Sequence, residues 1–199
     1  MTTIDMSKLA VYFLADMSTS MDEKDGRLMN AREVGVTLAE DVAELDDNGM
    51  IHFVTFGGRV VDHGEVDLAK IEEFYKAPKP RGTTPMAKAL LAIEAPVARR
   101  MTGSEAAHQL VIILTDGEPD NKQDVIKALV TLTVNVTSQS QIAFLFVQVG
   151  TDQGAKDYLD LLDNSAKSVT KGIDLVKTLH FSQISDYGVV ELVELAFNG

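Results

Sequence analysis

The chain contains no cysteine and no tryptophan among its 199 residues. Without cysteine it can form no disulfide framework, no thiolate metal site and no cysteine nucleophile. Such a composition is compatible with a reducing, intracellular setting, and we expect a cytoplasmic protein.

Positive charge is scarce, since 18 Lys and Arg residues face 30 Asp and Glu residues and give a formal net charge of −12. Nucleic acids and anionic membranes attract clustered Lys and Arg, so this balance disfavours both as partners. A cation, a basic ligand or a basic protein surface is a better match for the charge.

Long apolar runs are also missing. The run at 9–15 follows Lys8 as in a short signal peptide, but Asp16 stops it and no small-residue cleavage pattern follows. The run at 142–147 is far below the roughly 20 residues that cross a bilayer. We therefore expect a soluble protein without membrane insertion.

What is present is a regular alternation of strand and helix patterns. Runs rich in β-branched and aromatic residues predict buried strands at 9–15, 50–56, 110–114 and 142–149. A hairpin partner at 59–63 and a final strand at 175–181 complete the strand predictions. Apolar residues spaced by three and four predict helices at 28–45, 86–93, 125–136, 154–162 and 189–196. The turn Asp46-Asp47-Asn48-Gly49 ends the first helix, whose polar face includes Arg27.

This alternation predicts a single α/β domain over residues 1–199, with a doubly wound, mostly parallel sheet and helices on both faces. We expect strand order 3-2-1-4-5-6 with strand 3 antiparallel. In such sheets ligands bind at the carboxyl ends of the strands, where the strand order reverses.

Oxygen-bearing side chains cluster where that crevice is expected. Asp16, Ser18 and Ser20 follow the first strand, although Asp-x-Ser-x-Ser by itself also suits a turn or a helix cap. Asp116 ends the neighbouring fourth strand, and Thr84 precedes the helix that crosses to it. We therefore expect three distant segments to converge on one point.

The chemistry of these groups favours a hard cation. Carboxylates and hydroxyls suit Mg²⁺, Mn²⁺ or Ca²⁺, and Mg²⁺ or Mn²⁺ fits best. Because Mg²⁺ keeps several waters, one coordination position stays exchangeable and can accept an oxygen from outside the chain.

At these residues the chain resembles a von Willebrand factor A domain, whose metal-ion-dependent adhesion site uses the same three motifs. The matching segments read FLADMSTSM at 13–21, GTTPMAKAL at 82–90 and VIILTDGEP at 111–119. The resemblance implies a Rossmann-like fold and a divalent cation, for which we expect Mg²⁺, with Mn²⁺ or Ca²⁺ as alternatives. It implies direct coordination by Ser18, Ser20 and Thr84, and direct or water-mediated coordination by Asp16 and Asp116.

The chain resembles the compact intracellular bacterial and phage-like members of that family, including those near tellurite-resistance and stress-response operons, more than its secreted or integrin-inserted members. It implies a metal-dependent adaptor or scaffold that captures an Asp or Glu of a partner protein. Some such proteins work with AAA+ ATPases, so the resemblance makes an AAA+ ATPase system one candidate partner, while the sequence itself leaves the partner open.

Several neighbouring residues admit two interpretations. Thr83 is a candidate for a supporting role behind Thr84. Asp120 either adds negative potential at the crevice or simply suits a turn. Lys79 and Arg81, in the only proline-rich loop, either meet an acidic partner or are solvated, and solvation is the simpler explanation.

Two other functions stay open. A phosphoryl-transfer enzyme would need a nucleophilic Asp with a second carboxylate close by, and Ser18 occupies that second position. The chain also lacks the Gly-x-Ser-x-Gly, Gly-x-x-x-x-Gly-Lys and Gly-x-Gly-x-x-Gly motifs, so we expect no enzyme. An assembly subunit with an unused metal site remains the third possibility.

Overall fold

A computed structural model of the chain describes residues 3–22, 26–43, 45, 49–102, 108–170 and 172–198. Its strands are β1 (Leu9–Asp16), β2 (Ile51–Gly57), β3 (Arg59–Val66), β4 (His108–Thr115), β5 (Ile142–Gln148) and β6 (Val176–His180). Its α-helices are α1 (Arg27–Ala43), α2 (Leu68–Lys76), α3 (Met86–Ala92), α4 (Glu94–Thr102), α5 (Lys122–Thr133), α6 (Gln153–Val169) and α7 (Val189–Asn198). Short 3₁₀ helices span Met6–Lys8, Thr19–Asp22 and Phe181–Asp186.

The six strands form one sheet in the order β3-β2-β1-β4-β5-β6. β3 runs antiparallel to β2, and the other neighbouring pairs are parallel. The predicted fold class, strand order and antiparallel third strand are confirmed. Because the chain proceeds from β1 to β2 on one side and later places β4 on the other, the order reverses at the carboxyl end of β1.

Both faces of the sheet are buried, which explains why the central strands are apolar without alternation. Successive β1 side chains point to opposite faces, so Phe13 packs in the cluster under α1, α2 and α7, whereas Leu14 packs under α3 to α6. All eight residues of β1 and of β4 are buried. These two strands therefore carry their carboxyl ends, and whatever follows them, at fixed positions.

Helix α6 is longer than its sequence pattern indicated, continuing to Val169 instead of ending near residue 162. Tyr158, Leu159, Leu162 and Ala166 all lie on its buried face. Polar residues between them weaken the local signal, and packing against the sheet supplies the stability.

Two further helices were not predicted as separate elements. In α2 the buried residues are Ile71 and Tyr75, one turn apart, and the Asp67 carboxylate caps the helix by accepting from the Lys70 amide at 2.9 Å. In α4 Pro96 falls in the first turn, where its missing N–H has no intrahelical partner to lose. The predicted end of α1 at residues 46–48 lies outside the described residues.

No helix in the described part of the chain is long and apolar enough to cross a membrane.

Gly57, the last residue of β2, lies against the backbone that follows β1. A Cβ atom at Gly57 would come within 2.0 Å of the Met17 carbonyl oxygen and 2.8 Å of the Ser18 amide nitrogen. The Met17 amide also donates to the Phe56 carbonyl at 2.6 Å. The segment from Asp16 onward thus rests directly on the end of β2.

We predict that Gly57→Ala lowers the free energy of unfolding by about 1–3 kcal/mol, because backbone atoms cannot move aside as a flexible side chain can. Urea unfolding measures the change. Gly117→Ala is the matched control, since no heavy atom lies within 4 Å of the position its Cβ would take. Equal stability of the two variants would contradict the close packing of these loops.

Candidate metal site

Asp16 ends β1 with its side chain inside the molecule, at 1% exposure. One carboxylate oxygen accepts from the Ser18 amide at 2.8 Å, and the other accepts from the Thr115 hydroxyl at 2.7 Å. The first hydrogen bond closes a turn within the loop that follows β1, and the donor of the second lies on the neighbouring strand β4. The orientation of the Asp16 carboxylate is therefore fixed from both sides.

A chain of hydroxyls connects this loop to the end of β4. The Ser20 hydroxyl donates to Asp116 Oδ1 at 2.9 Å, and Ser18 Oγ lies 3.0 Å from Ser20 Oγ. Because a hydroxyl has one proton and Ser20 gives its own to Asp116, Ser18 must donate to Ser20. Four of the five residues predicted as ligands are thus linked by consecutive hydrogen bonds: Asp16, Ser18, Ser20 and Asp116.

The fifth, Thr84, is buried in the loop before α3 and is anchored through Asp120. The Thr84 amide and the Thr83 hydroxyl each donate to one Asp120 carboxylate oxygen at 2.7 Å, and the Asp120 amide donates back to the Thr84 carbonyl at 3.0 Å. This loop also reaches the first one, since the Thr19 amide donates to the Gly82 carbonyl at 3.0 Å. Asp120 therefore has a specific structural role that turn chemistry alone did not indicate.

The basic residue of the site was missed by sequence reasoning. Arg27, the first residue of α1, donates from Nη1 to Asp116 Oδ2 at 2.7 Å, and this ion pair is buried. The helical periodicity of the sequence placed Arg27 on the polar face of an amphipathic helix. No local feature of the sequence distinguishes it from the other charged residues on that face. Room for it is provided by Gly150, where a Cβ atom would lie 3.1 Å from Arg27 Nε.

Burial dominates the electrostatics of the Asp16 carboxylate. It raises the pKa of Asp16 to about 7, although hydrogen bonds from Thr115 and Ser18 act in the opposite direction, and the nearby Asp116 raises this pKa further. A buried negative charge without compensation is costly. The site therefore favours any positive charge that can approach Asp16.

The donor atoms fit a hard divalent cation. They are carboxylate and hydroxyl oxygens, as Mg²⁺, Mn²⁺ and Ca²⁺ prefer. Among the described residues, no group of three or more His, Cys, Asp or Glu side chains is arranged to hold a metal. A cation at this position would depend on Ser18, Ser20 and Thr84 as much as on the two carboxylates, and coordination by all five residues stays a prediction.

Solved structures share this fold. Manganese-loaded TRAP protein from Plasmodium vivax has a TM-score of 0.63 at 17% identity over 94% of this chain and 75% of that one. An aerotolerance-related membrane protein from Bacteroides fragilis has 0.61 at 18%, over 96% and 98%. The hypothetical protein BatB from Bacteroides thetaiotaomicron has 0.60 at 13%, over 96% and 100%. At such identities the likeness shows the fold alone.

Sequence comparison gives the family. No curated protein matches this chain. The model for the von Willebrand factor A domain found in the TerF C terminus, however, matches residues 8–194, which is nearly the whole length. The chain therefore belongs to the TerF-like von Willebrand factor A domains.

Proposed function

We propose that this chain is a metal-dependent protein-binding domain that captures an acidic side chain of a partner through a divalent cation. The cation would be held by Asp16, Ser18, Ser20, Thr84 and Asp116. The observation that carries the proposal is the continuous chain of oxygen side chains over two buried carboxylates at the point where the strand order reverses.

The charge balance supports both halves of the proposal. Arg27 compensates Asp116, but Asp16 has hydrogen-bond donors and no cation among the contacts described. A divalent ion would supply that charge. Together with Arg27 it would outweigh the two carboxylates by one positive charge, and the neutral hydroxyls would not reduce it. A cation in this setting can still attract an external carboxylate.

Relatives of this chain support a binding role. Von Willebrand factor A domains are generally adhesion or interaction modules. The TRAP structure is described as manganese-loaded, which makes Mn²⁺ a suitable probe beside Mg²⁺, our first choice for the bound ion. The carboxylate of a partner Asp or Glu would take the exchangeable position that Mg²⁺ and Mn²⁺ usually leave to water.

We expect calorimetric titration with Mn²⁺ and Mg²⁺ to detect binding to the wild type and at least about tenfold weaker binding to Ser18→Ala/Ser20→Ala, equivalent to about 1.4 kcal/mol. The loss follows from the removal of two hydroxyl ligands. A matched control is Ser138→Ala/Ser140→Ala, because these hydroxyls form the same Ser-x-Ser pair, 2.9 Å apart, at a distant position.

Equal heats for wild type and Ser18→Ala/Ser20→Ala, or no heat for either, would refute the metal site. A phosphoester turnover that depends on Asp16 would instead favour the phosphoryl-transfer alternative.

The raised pKa of Asp16 predicts a pH-dependent difference between wild type and Asp16→Asn in a chelating buffer. The unfolded carboxyl ionises near 3.8, whereas the folded one holds its proton to about 7. The folded state therefore binds more protons between these values, and wild-type stability falls relative to Asp16→Asn as the pH rises through this window.

At pH 8 the difference should be on the order of 4 kcal/mol in favour of Asp16→Asn, since each pKa unit corresponds to about 1.4 kcal/mol. Below pH 4 it should disappear. Denaturant unfolding at a series of pH values measures it, and a constant difference across the series would show that Asp16 keeps an ordinary pKa. Saturating Mg²⁺ should remove the wild-type penalty, because the cation stabilises the ionised carboxylate.

We predict that Arg27→Gln lowers the stability of the metal-free protein and raises the affinity of the protein for Mn²⁺. Without metal, Asp116 loses its buried partner, and stability should fall by roughly 3 kcal/mol. With metal, the cation no longer shares Asp116 with a guanidinium, so Mn²⁺ should bind several-fold more tightly. Thermal unfolding with and without Mn²⁺ measures both effects.

Lys122→Gln is the control for Arg27→Gln. Lys122 pairs with Glu118 at 2.9 Å on the surface, where an ion pair contributes little to stability. A similar Mn²⁺ affinity in Arg27→Gln and wild type would show that Arg27 does not oppose the cation.

A further inference from the structure

A cleft of about 500 Å³ lies beside the candidate metal site. Met17, which sits between Asp16 and Ser18, forms part of its wall. Three cationic side chains also line it: Arg59 from the start of β3, and Lys79 and Arg81 from the loop that leads to Thr84. The cleft and the metal site thus share the same two loops.

The charge of this cleft is opposite to that of the molecule. Among the residues that the structure describes, no Asp or Glu lines it, although the chain has 30 acidic and 18 basic residues. Arg59, Lys79 and Arg81 are all exposed, and among the described residues none of them forms an ion pair. Three uncompensated cations around one concave surface attract an anionic ligand locally, even in an acidic protein.

Lys79 and Arg81 belong to the loop at residues 77–82, the cationic loop, which is held in place before any ligand arrives. Pro78 and Pro80 alternate with Lys79 and Arg81, and each proline restricts its own φ to a narrow range. The Arg81 amide donates to the Met17 carbonyl at 2.8 Å. Restricting the loop in this way lowers the entropy lost on binding.

Two glycines lock the same loop to the end of β2. Gly58 and Gly82 both have positive φ, and a Cβ atom at Gly82 would lie 2.5 Å from the Gly58 Cα. The Gly58 amide donates to the Thr83 carbonyl at 2.9 Å. With the hydrogen bonds of Arg81 to Met17 and of Thr19 to Gly82, these backbone contacts set the distance between the cationic loop and the loop after β1 that carries Ser18 and Ser20.

The inner surface of the cleft is partly apolar, with Val61, His63 and Phe74 among its lining residues. His63 is held there by a 3.0 Å hydrogen bond with the Thr55 hydroxyl and by stacking on Phe53. A ligand that combines methylene groups with negatively charged ends, as a glutamate side chain does, matches both parts of this surface.

We propose that this cleft docks an acidic peptide segment of the partner, in which the carboxylate offered to the cation is flanked by further Asp or Glu residues. The inference rests on the proposed metal-dependent function and specifies the chemistry of its partner. A nucleic acid fits less well, because its regularly spaced phosphates extend far beyond a cleft of this size and would meet an acidic surface.

The test uses a fluorescein-labelled peptide of six glutamates, with fluorescence anisotropy measured in the presence of Mn²⁺ and in chelator. The cleft variant is Arg59→Gln/Lys79→Gln/Arg81→Gln. Its matched control is Lys127→Gln/Lys156→Gln/Lys167→Gln, which removes the same charge from exposed positions on α5 and α6. Calorimetric titration with Mn²⁺ alone is run on all three proteins and reports a folded metal site independently of the peptide.

We expect the cleft variant to bind the peptide at least about tenfold more weakly than wild type, and the control variant within about twofold of it. Peptide binding by wild type should weaken steeply with added salt, since its three contacts are exposed. Each of the three substitutions alone should weaken peptide binding by a smaller factor than the triple variant does. These single variants keep the proposal testable if the triple variant fails to fold.

Normal Mn²⁺ binding with unchanged peptide affinity in the cleft variant would overturn this inference and leave the metal site intact. A different outcome is that none of the three proteins binds Mn²⁺, yet the cleft variant still binds the peptide more weakly than wild type and the control variant. This result would support the acidic-peptide cleft and refute the metal-dependent function. A single-stranded oligonucleotide that binds more tightly than the peptide, and is lost in the cleft variant, would overturn the inference in favour of a nucleic acid.

Discussion

The burial of two carboxylates at adjacent strand ends is the constraint on which the rest of this structure depends. Asp16 and Asp116 are 1% and 0% exposed, so both must be satisfied from within the molecule. Thr115, Ser18 and Ser20 donate hydrogen bonds to them, and Arg27 provides one positive charge. These groups come from three separate segments, the loop after β1, the end of β4 and the start of α1, and all of them converge on the carboxylate pair.

Close backbone contacts make that arrangement possible. At Gly57, Gly58 and Gly82 the absence of a side chain lets loops from different parts of the chain touch directly. Hydrogen bonds between loop amides and carbonyls then fix the loops relative to each other. Because these contacts join the loop after β1 to the loop before α3, the candidate site and the neighbouring cleft share one continuous surface.

The distribution of charge over that surface has consequences for specificity. An overall charge of −12 repels anions at a distance, whereas the cationic cleft attracts them at close range. Electrostatic complementarity of this kind selects among partners more than it increases raw affinity. A short acidic segment presented by an otherwise neutral or basic protein would meet the least repulsion and gain the local attraction.

The sequence by itself determined the parallel sheet, its strand order and the positions of Asp16, Ser18, Ser20, Thr84 and Asp116 at its carboxyl edge. The strands and the site positions follow from local apolar periodicity and short motifs, which are visible in a single chain, whereas the strand order was expected from the doubly wound fold that this alternation indicates. Helices α2 and α4, the full length of α6, and the roles of Arg27 and Asp120 were decided only by the tertiary structure. Arg27 is 89 residues from Asp116, and the cationic cleft joins β3 to a distant loop. Such contacts exist only after folding, because long-range packing, and not local propensity, brings their residues together.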